Sequence, residues 1–288
     1  MIVMNGISVQ RAIKNIFLIG LALIILVIIL HPLAWLLINA VKTNAEAQKI
    51  PPVWLPKKPT LEPLLGVLVK TGVYATYWGF YFLNTIIITI ATTGIVVLFS
   101  VLVGYGLARF DIKGKMLVLG VFLIIQFLSG PAVMIPEFIF ISRIGLYNTR
   151  VGVIFVYLLF QVPFATWLFY SFFQTLPNEL EEAASVEGCS VVGVFWRITL
   201  PLSQVGIVTV AIMSFILTWS EYPFARILLE TERKITISIG LANYITAVNI
   251  YWNQMAAASL ICGLPMLVIL LSAQKYFIRG LTAGAIKG

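Results

Sequence analysis

Three carboxylates, Glu181, Glu182 and Glu187, are grouped in a polar segment that separates two strongly apolar runs. Carboxylates on a short helix can form ion pairs with basic groups on another surface, which is the chemistry of docking. The chain has 60% hydrophobic and only 10% charged residues, so it has little reason to expose three carboxylates unless another protein binds there. We therefore interpret residues 177–201, called the docking loop below, as a binding surface.

The first half of the docking loop predicts a short helix that ends in a tight turn. Residues 178–187 favour helix, with acidic residues near the positive N-terminal end, and Pro177 suits a first helical turn. Gly188 supplies the left-handed residue that stops a helix. Two alanines on one stripe would let another surface approach the backbone closely. At helical spacing, that stripe consists of Leu180, Ala183, Ala184 and Glu187.

The second half of the docking loop predicts another short helix at an angle to the first. Ser190 can cap a helix over residues 191–199, and Pro201 bends the chain into the next apolar run. Such a pair of helices would lie along one face of the membrane. A hairpin that rests on lipid without a partner is the alternative, although its acidic first helix suits an anionic leaflet poorly.

Six apolar segments approach the roughly 20 residues that cross a bilayer. Inside hydrocarbon every backbone polar group must be bonded within its own segment, so each segment is predicted to be a helix. The sequence therefore predicts an all-α integral membrane protein with six transmembrane helices. The predicted spans are residues 16–38, 86–107, 116–135, 151–173, 205–224 and 255–274.

The basic residues weakly favour an orientation with both termini in the cytoplasm. The best support is the cluster of Arg109, Lys113 and Lys115 between the second and third spans, since cytoplasmic loops are enriched in Lys and Arg. The net charge of +8 indicates anchoring to membrane lipid. It does not indicate nucleic-acid binding, because no basic stripe is interleaved with aromatic residues.

The sequence from Glu182-Ala183-Ala184 through Gly188 to Pro201 resembles the EAA loop of binding-protein-dependent ABC importer permeases. The resemblance implies that the loop fits a cleft on an ATPase subunit, that Glu182 pairs with a basic group there and that Gly188 forms the bend. Glu187 and Cys189 stand where aspartate and alanine are common. The residues implied in coupling to the ATPase are Glu182, Ala183, Ala184, Glu187, Gly188, Phe195, Leu200 and Pro201.

Three further segments, residues 104–115, 219–222 and 276–288, are similar to permeases of the carbohydrate class, and the last is similar to the ending of maltose-type permeases. The resemblance covers roughly residues 80–288. It implies a type I ABC importer transmembrane domain for a sugar, located in the inner (cytoplasmic) membrane. It also implies four kinds of partner: a second permease subunit, two ATP-binding subunits, an extracytoplasmic sugar-binding protein and membrane lipid.

The chain lacks the sequence patterns of an enzyme active site. No Gly-x4-Gly-Lys-[Ser/Thr] loop is present, since Gly114-Lys115 has neither the upstream glycine nor a following hydroxyl residue. No nucleophile elbow or His-Glu-x-x-His pattern occurs. We therefore expect no cofactor or metal in this chain, with ATP and Mg²⁺ bound by the partner ATPase subunits.

Amide, hydroxyl and aromatic side chains of the kind that hold sugars lie unusually deep in the predicted spans. Pro131 and Pro163 interrupt the third and fourth spans near the same depth, and freed carbonyls are tolerated where they face a cavity. Each polar residue also fits an ordinary hydrogen bond between helices, which is the more common role. The candidate substrate path consists of Gln126, Ser129, Gln161, Thr166, Trp167, Ser214 and Thr218.

The predicted organisation has three parts. Residues 1–80 form an N-terminal transmembrane helix with an external segment, residues 81–279 form a five-helix permease core, and residues 280–288 form a cytoplasmic tail. This Gly- and Ala-rich tail has little reason to fold alone.

Three alternative functions stay open at this point. A permease of the same superfamily could carry glycerol-3-phosphate or another polyol. An ion-coupled secondary carrier usually has internal repeats and intramembrane carboxylates, whereas every Asp and Glu of this chain is expected in a loop or near a helix end. A membrane sensor or scaffold could use the docking loop as a binding patch. Co-purification with an ATPase subunit would separate an ABC importer permease from the carrier and from the sensor or scaffold.

Overall fold

The computed structural model describes residues 2–68, 77–127 and 130–285, most of which are helical. The α-helices, in chain order, are α1 (Ile2–Ala40), α2 (Asn44–Ala47), α3 (Glu62–Leu68), α4 (Trp78–Arg109), α5 (Lys115–Phe127), α6 (Pro131–Arg143), α7 (Arg150–Gln174), α8 (Glu179–Val186), α9 (Val191–Val194), α10 (Leu200–Leu202), α11 (Gln204–Trp219), α12 (Pro223–Leu228), α13 (Ile237–Ala242) and α14 (Trp252–Ala285). A π-helix, Phe195–Thr199, lies between α9 and α10, and a 3₁₀ helix, Glu232–Lys234, precedes α13.

The first of two compact units comprises residues 1–76 and 244–262. Its helix α1 is apolar on all sides, and its large side chains from Ile16 to Leu30 are exposed. A helix that is hydrophobic all round is suited to lipid or to a bundle of membrane helices. Near its C-terminal end, Ala40 packs with Ala256 and Ala257 in a small core.

The second unit comprises residues 77–243 and 263–288. Helices α4 and α7 pack along one another, and α11 packs against α4. Gly104 permits the close α4–α7 contact, because a Cβ there would lie only 2.7 Å from the Cβ of Phe169. The buried core of this unit consists of Val96, Val101, Tyr105, Ala165, Phe169, Phe173, Phe195 and Val210.

Among the described residues, four helical segments are long and apolar enough to cross a membrane: Lys14–Ala40, Trp78–Arg109, Arg150–Gln174 and Trp252–Gln274. A fifth is obtained if Val191–Leu202 and Gln204–Trp219, which meet at an angle of 73°, count as one broken span. The all-α membrane architecture is therefore confirmed, whereas the predicted count of six continuous spans is not.

The third predicted span, residues 116–135, is not one helix. Helix α5 ends at Phe127 and α6 begins at Pro131, with Gly130 before it at a φ of +115°. That φ lies outside the helical region, and Pro131 lacks the N–H that a continuing helix would need. The interruption predicted at Pro131 is therefore confirmed, although the run was still counted as one span. The interruption predicted at Pro163 is wrong, because Pro163 lies inside α7, which is continuous from Arg150 to Gln174.

The fifth predicted span, residues 205–224, is also shorter than expected. Helix α11 ends at Trp219, and Phe224 belongs to the separate helix α12, which starts at Pro223. A residue that precedes proline is disfavoured in the helical region, which explains why the helix does not continue through Tyr222.

The C-terminal end continues the last helix. Helix α14 extends to Ala285, so residues 280–285 are helical as part of a longer helix and not as a segment that folds alone. Extending an existing helix adds one hydrogen bond for each residue that is ordered, without a new nucleation step. Residues 286–288 lie outside the described residues.

Candidate functional site

The docking loop contains the two short helices that its sequence predicts. Helix α8 is closed by Gly188, whose φ is +89°. The N–H of Gly188 donates to the carbonyl of Ser185, and the N–H of Cys189 donates to the carbonyl of Ala184, each at 3.0 Å. This pair of bonds is the Schellman arrangement that satisfies the last carbonyls of a helix. The prediction of a left-handed glycine at the bend is confirmed.

The second short helix begins as predicted. The Ser190 side chain accepts a hydrogen bond from the N–H of Gly193 at 3.2 Å, which caps α9. The helix then widens into the π-helix, and Pro201 lies in the first turn of α10. The bend of 73° follows between Leu202 and Gln204, so the chain enters α11 at a steep angle to the second short helix.

One carboxylate fastens the docking loop to the transmembrane core. Glu181 Oε1 accepts from Arg109 Nε at 3.0 Å and from Thr199 Oγ1 at 2.9 Å, and Glu181 Oε2 accepts from Tyr105 Oη at 3.1 Å. Arg109 also donates from Nη2 to the carbonyl of Leu176 at 3.2 Å. Only 11% of the Arg109 side chain and 14% of the Glu181 side chain are exposed. Glu181 therefore faces inward, and the expectation that all three carboxylates are exposed is wrong for it.

An aromatic contact makes the second attachment. Phe195 is buried, and the centroids of the Phe195 and Tyr105 rings are 4.8 Å apart. The centroids of the Tyr105 and Phe173 rings are 5.6 Å apart. Aromatic pairs at these separations add to the stability supplied by burial alone. One buried ring and one bonded carboxylate thus hold the docking loop to α4, which in turn packs against α7.

The predicted coupling residues divide into an outer and an inner set. Glu182, Ala183, Glu187, Gly188 and Pro201 are exposed. The inner set comprises buried Ala184 and Phe195 and half-buried Leu200. The close approach that was expected of both alanines is made by Ala184 within the chain itself, since α8 packs against α9 and the π-helix. A cleft of about 460 Å³, lined in part by Arg109, Glu182, Val186 and Val191, opens beside the outer set.

Three residues of the candidate substrate path form one hydrogen-bonded group between α7 and α11. Gln161 Nε2 donates to Thr218 Oγ1 at 2.9 Å, and Ser214 Oγ donates to Gln161 Oε1 at 2.6 Å. A cavity of about 20 Å³ lies beside Gln161 and Ser214, which is room for about one water molecule. The structure therefore brings these three side chains together in a helix–helix contact.

The remaining path residues are placed separately. Gln126 Nε2 donates to the carbonyl of Phe160 at 2.8 Å. Trp167 is half-buried and stacks on Phe164 with ring centroids 6.4 Å apart. The Thr166 side chain is fully buried, and its hydroxyl has no hydrogen-bond partner among the described residues. Ser129 lies outside the described residues.

A half-buried carboxylate just after α11, that of Glu221, was missed by the sequence analysis. Tyr157 Oη donates to Glu221 Oε2 at 2.5 Å, and the N–H groups of Phe224 and Ala225 donate to the same carboxylate at 2.8 and 3.0 Å. These bonds cap α12. The segment 219–222 had been noted only for its family resemblance. The hydrogen bond between Tyr157 and Glu221 has no sequence signal, because these residues are 64 positions apart along the chain.

Glu137 lies near this group, in the middle of α6 and beyond the apolar run 116–135. The expectation that every acidic residue lies in a loop or near a helix end is therefore wrong for Glu137. Burial, followed by the nearby Glu221 carboxylate, raises the pKa of Glu137 to about 7. Its Oε2 atom is buried without a hydrogen-bond partner in the described part of the chain.

The far end of α4 carries a second polar cluster that the sequence did not predict. Asn84 Nδ2 donates to the carbonyls of Arg233 and Ile235, each at 2.9 Å, and Arg150 Nε donates to Asn84 Oδ1 at 2.8 Å. The Asn84 side chain is fully buried. This cluster binds the start of α7 and the segment before α13 to the first turns of α4.

A metal centre has no candidate ligands in residues 2–68, 77–127 and 130–285, where no group of three or more His, Cys, Asp or Glu side chains is placed to hold an ion. Cys189 and Cys262 do not form a disulfide bond.

Comparison with known proteins agrees with this architecture. The family model described as the binding-protein-dependent transport system inner membrane component matches residues 97–283. The inner membrane ABC transporter permease protein YcjP of Escherichia coli is 31% identical over 269 residues, covering 93% of this chain and 95% of that protein. The trehalose/maltose transport system permease protein of Thermococcus litoralis is 31% identical over 280 residues, covering 97% of this chain and 99% of that protein.

The fold also matches a solved structure. A chain from the crystal structure of a bacterial ABC transporter involved in the import of the acidic polysaccharide alginate superposes with a TM-score of 0.78 at 21% identity, covering 93% of this chain and 98% of that chain. This likeness confirms the predicted type I ABC importer transmembrane fold. The chain is an integral membrane protein and belongs to the family of inner-membrane components of binding-protein-dependent transport systems.

Proposed function

We propose that this chain is the permease subunit of an ATP-driven sugar importer and that its docking loop receives force from an ATPase subunit. The observation that carries the proposal is the different environment of two adjacent glutamates. Glu181 forms hydrogen bonds within the chain, whereas Glu182 is exposed and lines a cleft. A loop that is anchored on one side and charged on the other is suited to binding a basic surface and passing its movement to the membrane helices.

The sugar class rests on the relatives. Permease proteins named for trehalose/maltose, arabinooligosaccharides and trehalose are similar to this chain over most of its length. Amide and hydroxyl groups such as Gln161, Ser214 and Thr218 are of the type that a sugar path needs. Glycerol-3-phosphate or another polyol is the second candidate, because permeases for those solutes have a similar sequence pattern. Family membership argues against an ion-coupled carrier.

The proposed assembly contains this chain, a second permease, two ATP-binding subunits and an external sugar-binding protein in the cytoplasmic membrane. Both termini and the docking loop would face the cytoplasm, where ATP is available. ATP and Mg²⁺ would be held by the ATP-binding subunits, and this chain would supply half of the translocation path. The coupling residues would act in two ways, with Glu182 and Glu187 at the surface and Phe195 beneath it.

The test is reconstitution of the complete complex in lipid vesicles with the binding protein and a panel of radiolabelled solutes. We expect a di- or oligosaccharide to stimulate ATP hydrolysis and to accumulate inside the vesicles. Accumulation of glycerol-3-phosphate without any sugar would replace the sugar assignment with the polyol one. Solute accumulation that follows an ion gradient and needs no ATP would refute the importer assignment itself.

A further inference from the structure

The Glu181 carboxylate joins three separate elements at one point. Glu181 belongs to α8, its partners Tyr105 and Arg109 belong to the last turns of α4, and its partner Thr199 ends the π-helix. Both carboxylate oxygens are engaged, one by Tyr105 at 3.1 Å and the other by Arg109 and Thr199 at 3.0 and 2.9 Å. Each of the two short helices of the docking loop is thereby fastened to the same helix, α4.

The environment of this joint favours rigidity. Thr199 is fully buried, Tyr105 is 7% exposed, and the Arg109 and Glu181 side chains are 11% and 14% exposed. A polar network with every member satisfied in a poorly solvated site holds its groups in one arrangement. The buried ring of Phe195 against Tyr105 blocks sliding of the π-helix along α4. A displacement of α8 therefore has to move the end of α4.

Helix α4 is also suited to carry that displacement. It runs for 32 residues from Trp78 to Arg109, which is about 48 Å at 1.5 Å per residue. At its opposite end, Asn84 is bonded to Arg150 and to the carbonyls of Arg233 and Ile235. One continuous helix thus connects the joint at Glu181 with the polar cluster at its far end.

We infer that Glu181, held by Arg109, Tyr105 and Thr199, is the positioning residue that transmits movement of the docking loop to helix α4 and so couples ATP hydrolysis to solute passage. This inference rests on the proposed function. It assigns a different task to each of two adjacent glutamates: Glu182 binds the ATPase subunit, and Glu181 makes the bound loop move the membrane helix.

The experiment uses the complete importer with Glu181→Ala, Arg109→Ala and the double variant, and measures the ATPase subunit that co-purifies and the solute imported for each ATP hydrolysed. We expect co-purification at the wild-type level and a fall of about tenfold or more in the import-to-hydrolysis ratio. The double variant should be no worse than the worse single variant, because residues that act through one contact are not additive. Glu179→Ala, an exposed carboxylate on the same helix, is the matched control.

Two further variants keep the test valid if the alanine variants fold poorly. Thr199→Val and Tyr105→Phe each remove one hydroxyl with little change of shape, and each should lower the ratio less than Glu181→Ala. Exchange of the pair, Arg109→Glu with Glu181→Arg, should recover part of the ratio lost by either single change.

The outcomes separate this inference from the proposed function. If the wild-type chain binds no ATPase subunit, the proposed function and this inference are both overturned. The inference alone is overturned if the wild-type complex is coupled and the Glu181 and Arg109 variants have the wild-type ratio of solute imported to ATP hydrolysed. It is also overturned if the losses in the two single variants add fully in the double variant. Loss of ATPase binding in Glu181→Ala would assign Glu181 to docking and would also overturn it.

Discussion

The charge reversal Glu182→Lys is the most direct test of the docking loop. Glu182 is exposed, and within the described part of the chain it takes part in no ion pair. An exposed carboxylate contributes about 0–1 kcal/mol to folding. Glu182 lies in the first turn of α8, so placing a positive charge there costs roughly another 0.3–1 kcal/mol through the helix dipole. The change should therefore leave the chain folded and inserted.

A much larger effect is expected on binding of the ATPase subunit. If Glu182 pairs with a basic group that is desolvated on docking, truncating the pair costs about 2–5 kcal/mol. At about 1.4 kcal/mol per factor of ten, this corresponds to a loss of affinity between roughly 30-fold and several thousandfold. Lysine adds repulsion to that loss. The two folding terms add up to about 0.3–2 kcal/mol, so the predicted binding effect is the larger of the two, by about 2 kcal/mol at the midpoints of the ranges.

The assay compares wild type, Glu182→Lys and Glu179→Lys at equal membrane abundance. Glu179 is a matched control because it is also an exposed carboxylate in the first turn of α8. We expect Glu182→Lys to lose solute uptake, stimulated ATP hydrolysis and co-purification of the ATPase subunit while still pairing with the second permease. Glu179→Lys should be milder. Uptake near wild type for Glu182→Lys would remove the coupling role from this residue.

Four further predictions concern other positions. Gly188→Val should impair coupling while insertion is retained, because a β-branched residue resists a φ of +89°, and normal uptake would contradict the requirement for this bend. Cys189, which is half-exposed, should react with a membrane-impermeant thiol reagent in inverted vesicles only, whereas buried Cys262 should not react. Labelling of Cys189 in intact cells would show that the docking loop faces the outside of the cell. Deletion of residues 282–288 should weaken ATPase assembly or coupling but not insertion, and full transport would show that this end is dispensable. Because burial raises the pKa of Glu137 from about 4.5 to about 7, the folded protein binds more protons than the unfolded chain between about pH 4.5 and 7. Its thermal stability should therefore fall as the pH rises across that interval, and Glu137→Gln should flatten this dependence; an equal slope in both proteins would refute the shift.

The features of this protein that depend on local chemistry can be predicted from its residues alone. Hydropathy established a helical membrane protein, because backbone groups in lipid can be satisfied within a helix. The bend at Gly188 and the cap at Ser190 were also predictable, because a left-handed glycine and a capping hydroxyl act on residues only a few positions away. The EAA pattern then identified the docking loop, and the family comparison confirmed the class of protein to which it belongs.

The side that each residue of that loop faces depends on contacts made in the folded chain. Glu181 and Glu182 are chemically identical neighbours. Hydrogen bonds from Tyr105, Arg109 and Thr199, which are 76 and 72 residues earlier and 18 residues later, hold Glu181 inward, whereas Glu182 is exposed. The raised pKa of Glu137 was hidden for a similar reason, because it depends on burial that hydropathy does not record. Contacts between distant parts of the chain have no local signal, and in this protein such contacts fasten the docking loop to the membrane helices.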